Sequence, residues 1–440
     1  MGVGSTRTNS DAYLDGLRAI AVLAVVALHS RPAVRTPDDF QLLGIDVEFV
    51  FASSYMGVDL FFVLSGFLLA RPWFTAELTG KPRPDLPTFW RRRLARIVPG
   101  YYFSIIATVF FFAGTTIPLE TLRGWLGARI LGAHALFVHN YIPVTSTGLN
   151  FANVGWWTLT VEMTWYLLLP LFSLACLGGR WRIALPLVVA ATAVWILVVR
   201  NGMDHTIATI AGWSDPNELR LVGIGTPIEH YVRFDILLTA FPSFAATFLF
   251  GVLLAKLWAI ARAREPGSPV PVWQRPQVAT AACGLALAGL VATAAWAFRA
   301  HIEQPLARPL YGLFLAVIVY GVCFGYPVLR RPLECLPLRF IGWVSFGVYL
   351  FNLPVSAVVS SKLDLSGLGR WTQFAGYFAA TTAVSVAAAT VSWLFVERAF
   401  LARTTPVVRT WRDRVLHPSR RAAAVGLAVA AAATYALVIR

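Results

Sequence analysis

Runs of about 20 apolar residues recur along this chain from one end to the other, the length a helix needs to cross the hydrocarbon core of a bilayer. Inside that core each segment must satisfy its own backbone N–H and C=O groups, which narrows the choice to a bundle of helices. Charged residues make up 13% of the chain, against about 25% in a soluble protein, so lipid is the solvent for much of the surface. The apolar runs predict spans near 14–30, 54–70, 97–117, 156–177, 183–199, 240–259, 277–298, 307–326, 340–360, 374–396 and 422–438. The expected fold is an all-α polytopic bundle of about eleven transmembrane helices, a ten-helix core plus one C-terminal helix. Residues 119–140 are more polar and read as an interfacial or re-entrant helix. If that stretch crossed, every later span would invert.

The net charge of +15 does not point to nucleic acid. The basic residues gather in short segments beside apolar runs, as the positive-inside rule describes. Loops 71–96, 178–182, 260–276, 327–339 and 397–421 hold most of them, and all five fall on one face of the eleven-helix arrangement. That face should be the cytoplasm, with the N-terminus inside and the C-terminus outside. The longest opposite loop, 200–239, carries five acidic residues against three arginines. The expected divisions are a cytoplasmic tail over 1–12, a membrane domain over 13–400, a basic linker over 401–421 and an added helix over 422–440. The first span carries Arg18 and His29 and lacks a small-residue cleavage site, so it does not read as a signal peptide. The four cysteines have neither a disulfide-framework nor a zinc-site spacing, and no metal is expected.

Depth sorts the remaining polar residues. The first span runs outward, with Arg18 near its cytoplasmic end and His29 eleven residues later, roughly 16 Å along the axis. The second and fourth spans run inward, placing Asp59 and Glu162 in their outer halves. His29, Asp59 and Glu162 then share an outer layer, and Arg18, Arg93 and Arg96 an inner one. Ionisable groups inside spans are costly and mark functional sites by default. The inner guanidinium layer suits a phosphorylated donor, and Arg93 and Arg96, three residues apart, lie on one helix face. The outer layer suits a His general base supported by a carboxylate. Ser65 offers a nucleophile, but no base lies at its depth, which favours direct transfer. Plainer readings stand beside these. His29 fits an interfacial histidine, Asp59 and Glu162 fit ion-pair partners of buried arginines, and Arg91, Arg92 and Arg93 fit topology determinants. His134, His139, His205, His230, His301 and His417 fall in loops or at interfaces and read mostly as solvated.

The same residues carry a family resemblance. YLDGLRAIAVLAVVALH holds Arg18, ten residues, then His29; GVDLFFVLSGFLL holds Asp59 and Ser65-Gly66; FWRRRLARIVPGYY holds Arg93 and Arg96 as R-x-x-R. With WWTLTVEMTWYLLLPL around Glu162, FGVYLFNLPV at 346–355 and WLFVERAF at 393–400, the chain resembles the membrane-bound acyltransferase-3 family. That family comprises bacterial O-acyltransferases of surface glycans, glycolipids and small molecules. Three positions depart from its pattern: Met163 replaces a second Glu, Asn352 replaces a His and Ala399 replaces a Pro. The second departure argues against a catalytic role for position 352.

The resemblance implies transfer of an acetyl or other short acyl group from acyl-CoA to a hydroxyl of an envelope glycan or glycolipid. His29 would be the base, aided by Asp59 or Glu162, and Arg18, Arg93 and Arg96 would handle the donor. Acyl-CoA, with acetyl-CoA the expected form, is then a substrate rather than a resident cofactor. The expected partners are this donor, the hydroxyl acceptor and membrane lipids, with no nucleic acid, and the expected location is the cell inner or plasma membrane. Some relatives fuse a soluble esterase-like domain after the membrane part. Here a linker and one helix follow residue 400, so transfer is expected within the membrane domain or with a separate partner. Two rival readings use the same residues: a transporter or flippase of lipid-linked or acylated substrates, with Arg and His in proton coupling, and acylation of an antibiotic-like small molecule. The absence of a visible internal repeat disfavours the transporter.

Overall fold

The computed structural model describes residues 11–34, 40–112, 117, 119–142, 145, 154–212, 217–218, 232–301 and 304–404. Its helices are α1 Ala12–Ser30, α2 Glu48–Ala52, α3 Met56–Thr79, α4 Leu86–Phe112, α5 Gly124–Ala135, α6 Trp157–Ala175, α7 Trp181–Asn201, α8 Asp204–Gly212, α9 Ala245–Ala263, α10 Pro276–Arg299, α11 Gln304–Phe324, α12 Leu336–Lys362, α13 Arg370–Ser392 and α14 Arg398–Thr404. The paired strands are β1 Gln41–Leu42 and β2 Ile45–Asp46, which form a short antiparallel hairpin. Ten helices among the described residues are long and apolar enough to cross a membrane: α1, α3, α4, α6, α7, α9, α10, α11, α12 and α13. These match the first ten expected spans, and the protein is an all-α polytopic membrane protein. The N-terminal tail up to residue 10, the basic linker beyond residue 404 and the expected helix at 422–438 lie outside the described residues.

Two local signals shaped the elements differently from the apolar pattern. α4 starts at Leu86, eleven residues before the expected span. The Asp85 carboxylate accepts the Thr88 backbone N–H at 3.0 Å, which caps the helix start. The arginine cluster is thereby helical, with Arg91 and Arg92 exposed and Arg93 and Arg96 half-buried. In the 119–140 stretch the only α-helix is α5, 12 residues long, or about 18 Å, well short of a bilayer core of about 30 Å.

The described structure falls into two compact units, one formed by Met1–Gly57, Asp85–Ala107 and Pro327–Arg440, the other by Val58–Pro84 and Thr108–Tyr326. In the first unit α12 is the central rod. A Cβ placed on Gly342 would lie 1.9 Å from the Asp15 carbonyl oxygen, so α1 and α12 touch backbone to backbone. Small residues permit this approach where lipid supplies no hydrophobic drive for association. Further along, His29 of α1 meets Asn352 and Ser356 of α12. Both contacts advance in the same direction, so α1 and α12 are parallel. α4 joins them in parallel, with Gly100 against Phe346 and Phe103 against Phe351, ring centroids 6.1 Å apart. α13 returns antiparallel, its Ala389 packed on Gly347 and its Tyr377 hydroxyl donating to the Leu363 carbonyl. Seven spans separate α1 and α12 in the chain. Alternate crossings restore the direction of α1 only if α5 does not cross as well.

The second unit is built on four parallel helices. Phe62 of α3 packs on Phe244 and Phe248, at the start of α9, with ring centroids 5.1 and 4.6 Å away. At the far end Glu77 of α3 pairs with Lys256 of α9 at 3.3 Å. α6 follows the same course: Trp157 lies 5.4 Å from Phe244, and the Cys176 carbonyl, just beyond the helix, accepts Lys256 Nζ at 2.7 Å. α11 places Arg308 over Phe244 and Gly312 against Thr247. Gly66, of the Ser65-Gly66 pair, is a packing residue: its Cβ would fall 2.3 Å from the Phe248 carbonyl oxygen. α7 and α10 expose Ile183, Leu187, Leu285 and Leu287, the apolar surface expected to face lipid.

The Gly342 contact generates a direct test. Gly342→Val drives a side chain into the α1 backbone and should destabilise the protein by at least about 1–3 kcal/mol. Gly284→Ala, where a Cβ meets nothing within 4 Å, should leave thermal stability in detergent unchanged. Equal melting of the two variants would contradict the packing described.

Candidate active site

The expected site residues divide between the units: Arg18, His29, Arg93 and Arg96 lie in the first, Asp59 and Glu162 in the second.

In the first unit, His29 lies in the last turn of α1. Its Nδ1 contacts Asn352 Oδ1 of α12. The orientation of the amide follows from its other hydrogen bond, because Asn352 Nδ2 donates to the Tyr349 carbonyl at 2.6 Å. The carboxamide oxygen therefore faces His29 and must accept, which places the imidazole proton on Nδ1 and the lone pair on Nε2. This is the tautomer a general base requires. Ser356 Oγ donates to the His29 carbonyl at 2.8 Å, fixing the helix end that carries the ring. Position 352, which the family pattern set aside for catalysis, thus stands against His29 as an orienting group. Sequence spacing could not show this, because the two residues are 323 positions apart.

The arginines mark the opposite end of the same unit. Arg18 Nη1 donates to Asp15 Oδ1 at 3.1 Å, and Trp343 Nε1 donates to Asp15 Oδ2 at 2.9 Å. Asp15 is buried and orients Arg18 from one turn away. The D-G-L-R spacing carried that i,i+3 signal, and the sequence reading passed over it. Arg96 lies one turn before Gly100, and α12 places Gly342 one turn before Phe346. Arg96 is therefore at the depth of Asp15 and Arg18, on the half-buried face it shares with Arg93. Glu397, fully buried, packs on Gly100. It closes a π-helical turn, Trp393–Glu397, a distortion frequent at functional sites. Its Oε1 accepts Ser392 Oγ at 3.2 Å.

In the second unit, Asp59 is buried four residues into α3, and the charge acting on it is that of Arg308. Arg308 is buried and lies 4.3 Å over the Phe244 ring and 5.5 Å from the centre of Trp157. The sequence offered Asp59 as an ion-pair partner of a buried arginine without naming one; Arg308 is the cation that acts on it electrostatically. Glu162 is partly exposed, five residues beyond Trp157 on α6, and its Oε1 accepts the Tyr166 hydroxyl one turn later. Among the described residues no group of three or more His, Cys, Asp or Glu is arranged to hold a metal ion.

Two histidines correct the sequence reading. His134 and His139 were expected to be solvated, yet both are fully buried. Their rings stack with centroids 4.1 Å apart and 5° between planes, and Trp156 meets His134 edge-on. The turn after α5, with Phe137 at φ 57°, folds the segment back so that one ring covers the other. His134 Nδ1 donates to the Ile130 carbonyl at 2.8 Å. Burial pushes the His134 imidazole down to about 4. Burial and then the neighbouring His134 hold His139 well below the ordinary imidazole range. His205 and His301 are exposed as expected, and His230 and His417 lie outside the described residues.

A polytopic helical bundle with a tautomer-fixed histidine and a half-buried arginine layer defines the class, and comparison with known proteins defines the family. Residues 11–390 match the acyltransferase domain that characterises the acyltransferase-3 family, and the chain belongs to that family. It is 28% identical to peptidoglycan O-acetyltransferase OatA of Listeria monocytogenes over 81% of this chain and 51% of that protein. It is 22% identical to O-acetyltransferase OatA of Staphylococcus aureus (strain NCTC 8325 / PS 47), over 79% of this chain and 51% of that protein. Acyltransferase MdmB of Streptomyces mycarofaciens is 32% identical over a shorter stretch, 36% of this chain and 38% of its own length. The chain spans about half the length of the two O-acetyltransferases it matches. No solved structure matches it.

The histidine stack predicts a pH dependence. The unfolded chain gains a proton on His134 near pH 6.5, whereas the folded chain resists until about pH 4. Stability is therefore intact above the unfolded value and falls as pH drops between the two, by on the order of 3 kcal/mol for this residue. His134→Phe keeps a stacked ring and removes the titration. Its melting temperature in detergent should fall less than that of the wild type between neutral and acidic pH. An equal fall would contradict the assignment.

Proposed function

We propose that the protein is an integral-membrane O-acyltransferase that moves an acetyl or other short acyl group from acyl-CoA to a hydroxyl of a cell-envelope glycan or glycolipid. The observation that carries this reading is the His29–Asn352 contact, which leaves a basic Nε2 on a residue matching the family's R-x₁₀-H motif. Two relatives bearing the name O-acetyltransferase, one of them with peptidoglycan in its name, support a glycan acceptor.

In this reading the ends of α1, α4 and α12 that carry Asp15, Arg18, Arg93 and Arg96 face the cytoplasm, in keeping with the basic loops on that side. The arginines hold the phosphates of the donor in forked hydrogen bonds. The donor reaches along α1 over roughly 16 Å to bring its thioester carbonyl to the level of His29. His29 Nε2 takes the proton of the acceptor hydroxyl as its oxygen bonds to the thioester carbon. The C–S bond then breaks, and the leaving thiolate of coenzyme A takes the proton from the imidazolium. Asn352 Oδ1 accepts a hydrogen bond from Nδ1–H throughout and stabilises the charged ring. Asp59 and Glu162 serve the acceptor side. The membrane domain is assigned to residues 13–400.

Purified protein tests this through release of free coenzyme A that depends on an added hydroxyl acceptor. His29→Ala should lower the rate by at least about 100-fold without changing the melting temperature by more than a few degrees. Asn352→Leu, which leaves the ring tautomer unset, should lose at least about tenfold of that contribution. Wild-type rates in His29→Ala would refute the mechanism. Wild-type rates in Asn352→Leu alone would remove only the orienting role.

A further inference from the structure

The end of the first unit that carries Arg18 holds a further guanidinium, that of Arg339 in the first turn of α12, and the helix register sets its level. α1, α4 and α12 run parallel there. Arg96 lies one turn before Gly100, which packs on Phe346, and Gly342 lies one turn before Phe346, so Arg96 and Gly342 share a level. Gly342 touches the Asp15 backbone, and the Asp15 carboxylate holds the Arg18 guanidinium at 3.1 Å. Arg339 precedes Gly342 by three residues and Arg93 precedes Arg96 by three, roughly 4.5 Å along each axis. Cations therefore stand at two successive levels: Arg18 and Arg96 at the inner one, Arg93 and Arg339 one turn nearer the helix ends. Direct contacts tie Arg339 to the inner level. Its guanidinium carbon lies 5.6 Å from the centre of the Trp343 ring, and Nε1 of that ring donates to Asp15 Oδ2 at 2.9 Å.

Support of the fold does not account for Arg339. Its Nε is buried and has no hydrogen-bond partner among the described residues, and an unmade bond of this kind costs about 1–3 kcal/mol. An arginine that served only to orient the helix across the membrane would need its charge and nothing more. A ring against the flat face of a guanidinium leaves the in-plane N–H groups to receive an oxyanion, and the side chain is half-buried rather than sealed. Coenzyme A carries its phosphates in a fixed order. The pyrophosphate adjoins the arm that ends in the thiol, and a further phosphate lies beyond it on the adenosine ribose. With the thioester directed along α1 toward His29, the pyrophosphate meets the inner level and the ribose phosphate the level nearer the helix ends. We propose that Arg339 binds the ribose phosphate of the donor, with Trp343 setting the plane of its guanidinium. The assignment rests on the acyl-CoA reading and deepens it, and it draws on residues of the first unit alone.

Equilibrium binding of coenzyme A and of dephospho-coenzyme A, which lacks the ribose phosphate, tests this in purified full-length protein without an acceptor. The unsubstituted protein should bind coenzyme A at least about tenfold more tightly than the dephospho form, as one charge-assisted hydrogen bond supplies. Arg339→Gln should weaken coenzyme A by at least about tenfold and leave the dephospho form unchanged, so that the preference disappears. Arg339→Lys, which keeps charge without the planar fork, should restore part of it. Arg331→Gln removes an exposed charge from the same basic segment and should change neither affinity. A merely structural role for Arg339 would weaken both compounds alike, and a role through net charge would be matched by Arg331→Gln. Either result overturns the assignment, as does an unchanged preference in Arg339→Gln. Equal binding of the two compounds by the unsubstituted protein overturns it while leaving the acyl-CoA reading in place. Binding of neither compound by the unsubstituted protein removes that reading and the assignment together.

Discussion

Two helices in a bilayer gain nothing from the hydrophobic effect by associating, so a close, specific contact has to come from shape and hydrogen bonds. In this protein that contact is the meeting of α1 and α12 at Gly342, where a side chain on α12 would collide with the Asp15 backbone. It fixes the register of the pair, and the register places both polar ends. Trp343 reaches Asp15 at one end, while Asn352 and Ser356 reach His29 at the other. A helix turn of slippage would separate His29 from its amide and Arg18 from the level of Arg96. The chemistry proposed for the first unit therefore depends on a backbone contact about 15 Å or more from the imidazole.

The cost of charge in lipid explains the rest of the polar architecture. Three of the buried charges have a named polar or charged neighbour. Asp15 accepts from Arg18 and Trp343, Asp59 lies in the field of Arg308, and Lys256 is shared between Glu77 and the Cys176 carbonyl. The last of these closes the far end of the parallel helices in the second unit, and its residues are used as a clamp. The other two lie where the acyltransferase-3 motifs or their close neighbours fall. His134 and His139 follow the opposite course: the structure keeps them neutral and stacked, and they contribute packing rather than charge.

The apolar runs were enough to place ten helices, because length and hydropathy are local properties that the bilayer reads directly. The caps were legible too, but the expected start of α4 followed the apolar run and missed the signal of Asp85 and Thr88. Arg18, His29, Arg93 and Arg96 were found because a charged residue in a span is conspicuous. Their partners were not. Asn352 owes its importance to a helix pairing hundreds of residues apart, and periodicity carries no information about which helices meet. The family's pattern has His where this chain has Asn352, which counts against that position in the sequence; the geometry sets an amide where it orients the ring. His134 and His139 were misread because a polar, short segment resembles a surface loop until its stacking is seen.

The central claim is that this membrane domain changes the covalent state of an envelope component through His29. The most direct measurement is mass spectrometry of envelope glycans and lipids from cells carrying the intact gene, a deletion, or a His29→Ala replacement. The account predicts one species that is lighter by a single acyl group in both altered strains, with the mass difference naming the group. Identical masses in all three strains, with only the location of a lipid changed by the deletion, would contradict acyl transfer and reassign Arg18, Arg93, Arg96 and His29 to a transport path.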